Sequence, residues 1–178
     1  MIDDLRRLSV REWSLGGLAF CVLMLAVALG LEHVVGLEPC PLCVFQRVAV
    51  LAGAAVFLVA AVHDPEGRPG AVSYGLLSLV AVVGGILVAG RHLWLQSLPA
   101  DEVPSCGPGL DYMMEILPLQ QVLAQVLSGS GECAEVDFLV LGLSLPAWTL
   151  IGFVLLALAP LGLLLAANRP PRGYRWQG

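Results

Sequence analysis

The sequence predicts an all-α membrane protein: an antiparallel bundle of four transmembrane helices, with a long loop that carries a short interfacial helix. Three observations lead there. Of the 178 residues, 58% are hydrophobic and only 13% are charged, with a mean hydropathy of +0.85; soluble domains run near about 45–50% apolar and about 25% charged. The apolar residues fall into four uninterrupted runs of about 20 residues, the length that crosses a bilayer. The connections between the first three runs are short, which makes successive helices antiparallel neighbours.

The runs cover about 15–35, 44–62, 71–90 and 145–167 within one membrane domain spanning 1–178. Lipid offers no hydrogen-bond partners to an open backbone, so each run is expected to be helical. The first run is longer than a signal-peptide core, follows Asp3 and Asp4, and lacks a small-x-small cleavage site, so it reads as a retained helix. Gln46 and Arg47 lie near the start of the second run, whereas the third has no charge. Between about 91 and 144 lies the long loop. Within it, residues 117–127 place Leu119, Val122, Leu123 and Val126 on one face against Gln120, Gln121 and Gln125. That pattern predicts a short helix on the membrane surface, with packing over the bundle end as the competing reading.

Orientation follows from the charges. All nine basic residues are arginines. Arg6, Arg7 and Arg11 precede the first helix, Arg68 joins the second to the third, and Arg169, Arg172 and Arg175 follow the fourth. These segments share one side, which the positive-inside rule makes cytoplasmic, together with both termini. The opposite, long loop is acidic, with Asp101, Glu102, Asp111, Glu115, Glu132, Glu135 and Asp137. No basic stripe suited to nucleic acid is present.

Of five cysteines, Cys21 lies in the middle of the first helix and reads as an apolar filler. Cys40, Cys43, Cys106 and Cys133 all fall on the outer side or at its membrane edge, the oxidising compartment where disulfides persist. Three readings compete: structural staples, a zinc site, and redox exchange. A Cys-x-x-Cys loop is too short for loop closure to contribute much, which counts against a staple. One tight pair with two distant single cysteines and no His-x-x-x-His counts against metal. Val44 after Cys43 removes the haem-attachment motif. Redox exchange fits best, since Pro41 suits the first position of a helix. That places Cys40 at the cap and Cys43 in the first turn, where free backbone N–H groups and the positive helix end favour a thiolate. Cys40, Cys43 and Arg47 share one helix face. An arginine inside an apolar span costs about 2.5–3.5 kcal/mol on insertion scales and marks a functional site, although Arg47 is near enough to the interface to snorkel. Cys106 and Cys133 sit among Gly, Pro and Ser, at loop positions free to approach a partner. His33 and His92 fall at helix ends, where a histidine often caps carbonyls.

The segment Glu32-His-Val-Val-Gly-Leu-Glu-Pro-Cys-Pro-Leu-Cys-Val-Phe-Gln-Arg47 resembles the DsbB family, the bacterial thiol:quinone oxidoreductases of disulfide formation. So do Gly131-Glu-Cys-Ala-Glu135, Asp137-Phe138 and Leu145-Pro-Ala-Trp148, and the likeness covers nearly the whole chain. The resemblance implies an enzyme of the bacterial inner membrane with its active cysteines on the periplasmic side. It implies that a DsbA-like periplasmic thiol oxidase attacks a Cys106–Cys133 disulfide, with Cys106 forming the mixed disulfide. Electrons then pass by way of Cys133 to Cys40 and Cys43. Cys43, Arg47 and His92 would face a quinone from the membrane pool, ubiquinone ahead of menaquinone, and no metal is implied. Gln46 departs from the acidic residue often found before the arginine. The vitamin K epoxide reductases share a four-helix plan, but their Cys-x-x-Cys comes late in the chain. The alternative reading is a quinone-binding membrane subunit whose disulfides are purely structural.

Overall fold

The structure is a computed structural model that describes residues 8–65, 67–99, 101–105, 110–136 and 138–168. Four long apolar stretches dominate it: α1 (Val10–His33), α2 (Pro41–His63), α3 (Arg68–Gln96), and a fourth built from α7 (Leu145–Leu156) and α8 (Leu158–Ala167). Each is long and apolar enough to cross a membrane. Between α3 and α7 come α4 (Leu110–Ile116), α5 (Leu119–Ser128), α6 (Gly131–Ala134) and a two-stranded antiparallel ribbon, β1 (Leu139–Val140) and β2 (Leu143–Ser144).

Local chemistry sets the boundaries. A capping box starts α1 five residues before the apolar run: the Glu12 N–H donates to Ser9 Oγ at 3.3 Å, and the Ser9 N–H donates to the Glu12 carboxylate at 2.6 Å. Cys40 caps α2 and Pro41 fills its first position. The third helix continues through Arg91 and His92 to Gln96, past the expected end near residue 90. Its charged residue does not end it, because Arg91 donates to the Leu127 and Ser128 carbonyls and stacks over Trp94. His92 is therefore a helical residue, not one just beyond a helix end. The fourth span pauses at Ala157. Pro160 has no N–H to offer the Leu156 carbonyl one turn back, and this interrupts the ladder.

α1 packs on α2, α2 on α3, α3 on α7 and α8, and these return to α1, closing an antiparallel bundle. Its centre holds Cys21, Val50, Phe57, Val82, Phe153 and Leu163. Close helix approach depends on glycine: a Cβ on Gly85 would overlap the Phe153 ring, and one on Gly17 would press on Phe57. Outward-facing Val22, Leu58, Leu77, Val80 and Leu87 are exposed, as lipid contact requires. A second cluster caps one end of the bundle. There α5 inserts Val122 and Val126 against Leu42, Leu95 and Cys133, while Leu119 and Leu123 remain exposed along its outer edge. The short helix thus packs over the bundle end and still presents an apolar edge outward.

Candidate functional site

The site forms where the start of α2 meets the end of α3 beneath α5 and α6. Cys40 and Cys43 are free thiols with their sulfurs 3.0 Å apart. Cap geometry accounts for this: Cys40 lies just outside α2 and Cys43 on its first turn.

From α3, 52 residues along the chain, His92 places Nε2 3.8 Å from Cys40 Sγ. The other ring nitrogen, Nδ1, is 3.2 Å from Gln46 Nε2. Both residues are buried, His92 at 2% exposure and Gln46 at 4%. A buried amide and imidazole persist in an apolar bundle only when they satisfy one another. Gln46 was singled out in the sequence only as a departure from the family pattern. The reasoning that flags Arg47, a polar side chain inside an apolar span, applies to it equally.

Arg47 turns away from this group. It forms an ion pair with Glu32 of α1 and donates from Nη2 to the Ala28 carbonyl at 3.2 Å. Glu32 thus holds the guanidinium below the bundle surface, a role not assigned to it from sequence.

Cys133 on α6 is buried at 1% exposure and packs in the cluster that Cys40 borders. Its thiol is held protonated well above the ordinary range, first by the neighbouring Cys40 thiol and then by burial. The Leu42 N–H at the start of α2 and the Ser130 hydroxyl, 3.7 Å away, act in the opposite direction. Cys106 lies outside the described residues. Ser105, just before it, accepts from the Gly131 N–H at 3.5 Å, two residues from Cys133.

Two cavities meet at this group. The larger, about 220 Å³, lies between α1, α2 and α7 and is lined by Ala28, Glu32, Cys43, Arg47, Trp148 and Thr149, among other mainly apolar residues. A dry apolar cavity of about 150 Å³ already holds a benzene ring, so this one accommodates a substituted six-membered ring. Its polar groups, the Arg47 guanidinium paired with Glu32, the Cys43 thiol, the Gln46 amide, the Thr149 hydroxyl and the Glu38 carboxylate, are few against apolar walls, and the donors among them suit a neutral ring bearing carbonyl oxygens. The smaller, about 70 Å³, is lined by Cys40, Cys43, His92, Glu38, Glu132 and Glu135. Cys43 belongs to both walls, Cys40 and His92 only to the smaller, and Arg47 only to the larger.

Four apolar helices with a paired dithiol at one end define a multi-pass membrane protein of thiol chemistry. The comparisons name it more closely. The family model described as Disulfide bond formation protein DsbB matches residues 10–163, and the chain belongs to that family. It is 57% identical over 164 residues to Disulfide bond formation protein B of Chromohalobacter salexigens, covering 92% of this chain and 95% of that protein. It is 53% identical over 155 residues to the protein of the same name from Nitrosococcus oceani, covering 87% and 91% respectively. The corresponding protein of Marinobacter nauticus is 52% identical over 156 residues, covering 86% and 92%. Oxidoreductase chemistry in disulfide formation follows from this membership.

Proposed function

We propose that the chain is a thiol:quinone oxidoreductase of the bacterial inner membrane that reoxidises a DsbA-type dithiol protein on the periplasmic side. The observation that carries this reading is the position of Cys43 in the walls of both cavities. One thiol faces both an apolar chamber reachable from the bilayer and a polar chamber beside the outer loop. The arginine distribution supports the periplasmic placement of that loop.

The partner's thiolate attacks a Cys106–Cys133 disulfide at Cys106, and its second thiol closes the partner's own disulfide, leaving Cys106 and Cys133 reduced. Cys133 then attacks Cys40 of a Cys40–Cys43 disulfide and releases the Cys43 thiolate. Cys40 packs against the buried cluster that holds Cys133, which supports this transfer point. Cys106 resolves the Cys40–Cys133 bond, which restores the loop disulfide and leaves Cys40 and Cys43 as the dithiol. A quinone in the larger cavity, ubiquinone ahead of menaquinone, accepts two electrons and two protons as Cys40 and Cys43 rejoin. Arg47 offers a donor to a ring carbonyl from a position set by Glu32. His92 acts on the opposite side of the pair, where Nε2 lies against Cys40; with the Gln46 amide turned so that Oε1 accepts the Nδ1–H, Nε2 is free to take the Cys40 proton.

The test mixes purified, quinone-loaded protein with reduced DsbA-type protein and follows quinone absorbance, with Cys106→Ser as control. Oxidised quinone should disappear with the native protein only. No loss with quinone shown to be bound would return the disulfides to a purely structural role.

A further inference from the structure

Cys40, Cys43 and His92 bring two sulfurs and one imidazole nitrogen within 4.8 Å of one another. We propose that in its reduced state this group is a binding site for a borderline-soft divalent cation of the zinc class, which holds the pair as a dithiolate.

The geometry is close to what such an ion requires. Metal–sulfur bonds of about 2.3 Å and a metal–nitrogen bond of about 2.0–2.1 Å in a tetrahedron put sulfurs about 3.8 Å apart and sulfur about 3.6 Å from nitrogen. Cys40 Sγ and His92 Nε2 are 3.8 Å apart, and the two sulfurs, at 3.0 Å, need only open by side-chain rotation. Metal-binding histidines are characteristically fixed through their second ring nitrogen. Gln46 occupies that position beside His92 Nδ1, buried and without a rival partner among its described hydrogen bonds; with its amide turned so that Oε1 accepts the Nδ1–H, the Nε2 lone pair is left for the ion. The fourth coordination position opens on the smaller cavity, where Glu38, Glu132 and Glu135 draw cations inward.

Binding exchanges two thiol protons, released to solvent, for one divalent ion, and no electrons move. A Cys40–Cys43 disulfide has no thiolate to offer, so the site exists in only one redox state. An ion held there keeps the sulfurs as separate thiolates and blocks their rejoining. Sequence spacing alone argues against metal because the histidine partner is absent nearby; the fold supplies it from α3.

The test uses the full chain in detergent, reduced with a phosphine, desalted, and titrated with Co²⁺ alone. Reduced protein is expected to take up one equivalent, with a thiolate-to-cobalt charge-transfer band that Zn²⁺ then abolishes; oxidised protein should show no band. Gln46→Leu should weaken binding by roughly 10- to 100-fold through His92, and Cys40→Ser and His92→Ala by more. Equal binding by oxidised protein, no band in reduced protein, or native affinity in either Cys40→Ser or His92→Ala would overturn the proposal. Cys40→Ser changes one atom at a helix cap and keeps the test decisive should His92→Ala fail to fold.

Discussion

Replacing Arg47 by Met tests the larger cavity most directly. Methionine keeps the apolar, unbranched stem of the side chain, ends short of the guanidinium and removes every donor, including those to Glu32 and the Ala28 carbonyl. If the guanidinium also donates to a quinone carbonyl, its loss removes one hydrogen bond to a charged group, about 1.5–3 kcal/mol. At about 1.4 kcal/mol per tenfold, the quinone KM would rise roughly 10- to 150-fold. The Arg47 and Glu32 side chains are 22% and 29% exposed, so solvent screening places the expected value toward the lower end, about 10- to 30-fold. The assay varies a short-chain quinone under steady-state turnover and separately follows mixed-disulfide formation with the dithiol partner by rapid quench. Exchange with the partner should keep its rate, because Arg47 does not line the smaller cavity. An unchanged quinone KM together with slowed exchange would refute the assignment of the larger cavity to quinone.

Cys43→Ser should abolish quinone reduction while its loop disulfide still oxidises a single equivalent of the partner, whereas Cys21→Ala, buried in the bundle centre away from both cavities, should leave turnover unchanged; the partner's redox state on gels and quinone absorbance separate the two. Gly85→Leu drives a side chain into the Phe153 ring and should destabilise the bundle by about 1–3 kcal/mol, read as a lower melting temperature in detergent. Alkylation of Cys133 in fully reduced Cys106→Ser protein should be slow at neutral pH. Its thiol is held protonated above the ordinary range and the thiolate is the nucleophile, so the rate should keep rising with pH beyond about 8.5, where a free thiol levels off; peptide mapping by mass reads this, and a plateau at the ordinary value would contradict it.

The helices were legible because lipid imposes one rule on every residue of a span, and apolar runs record it without reference to partners. Boundaries were less so. The Ser9–Glu12 box extends α1 backwards, and the bonds of Arg91 to carbonyls of α5 carry α3 forwards, a partnership across 36 residues that no local pattern encodes. The cysteine pair and Arg47 stood out as chemistry in an apolar setting. The pairing of His92 with Cys40 and Gln46 did not, because it depends on how α2 and α3 are set against each other. The facing of Glu32 to Arg47 was hidden for the same reason: Arg47 stands out by itself, but its partner is fixed only once the other helix is in place.

The wall between the two cavities has an evolutionary consequence. Leu37, Glu38, Leu145 and Pro146 share it with Cys43, but most residues of each chamber belong to that chamber alone. Substitutions at Ala28 or Thr149 reshape one chamber without touching the other, and substitutions at Glu132 or Glu135 do the reverse. A lineage that changes its membrane carrier, or its soluble client, can therefore retune one side of the molecule while the sulfur pair between them stays as it is.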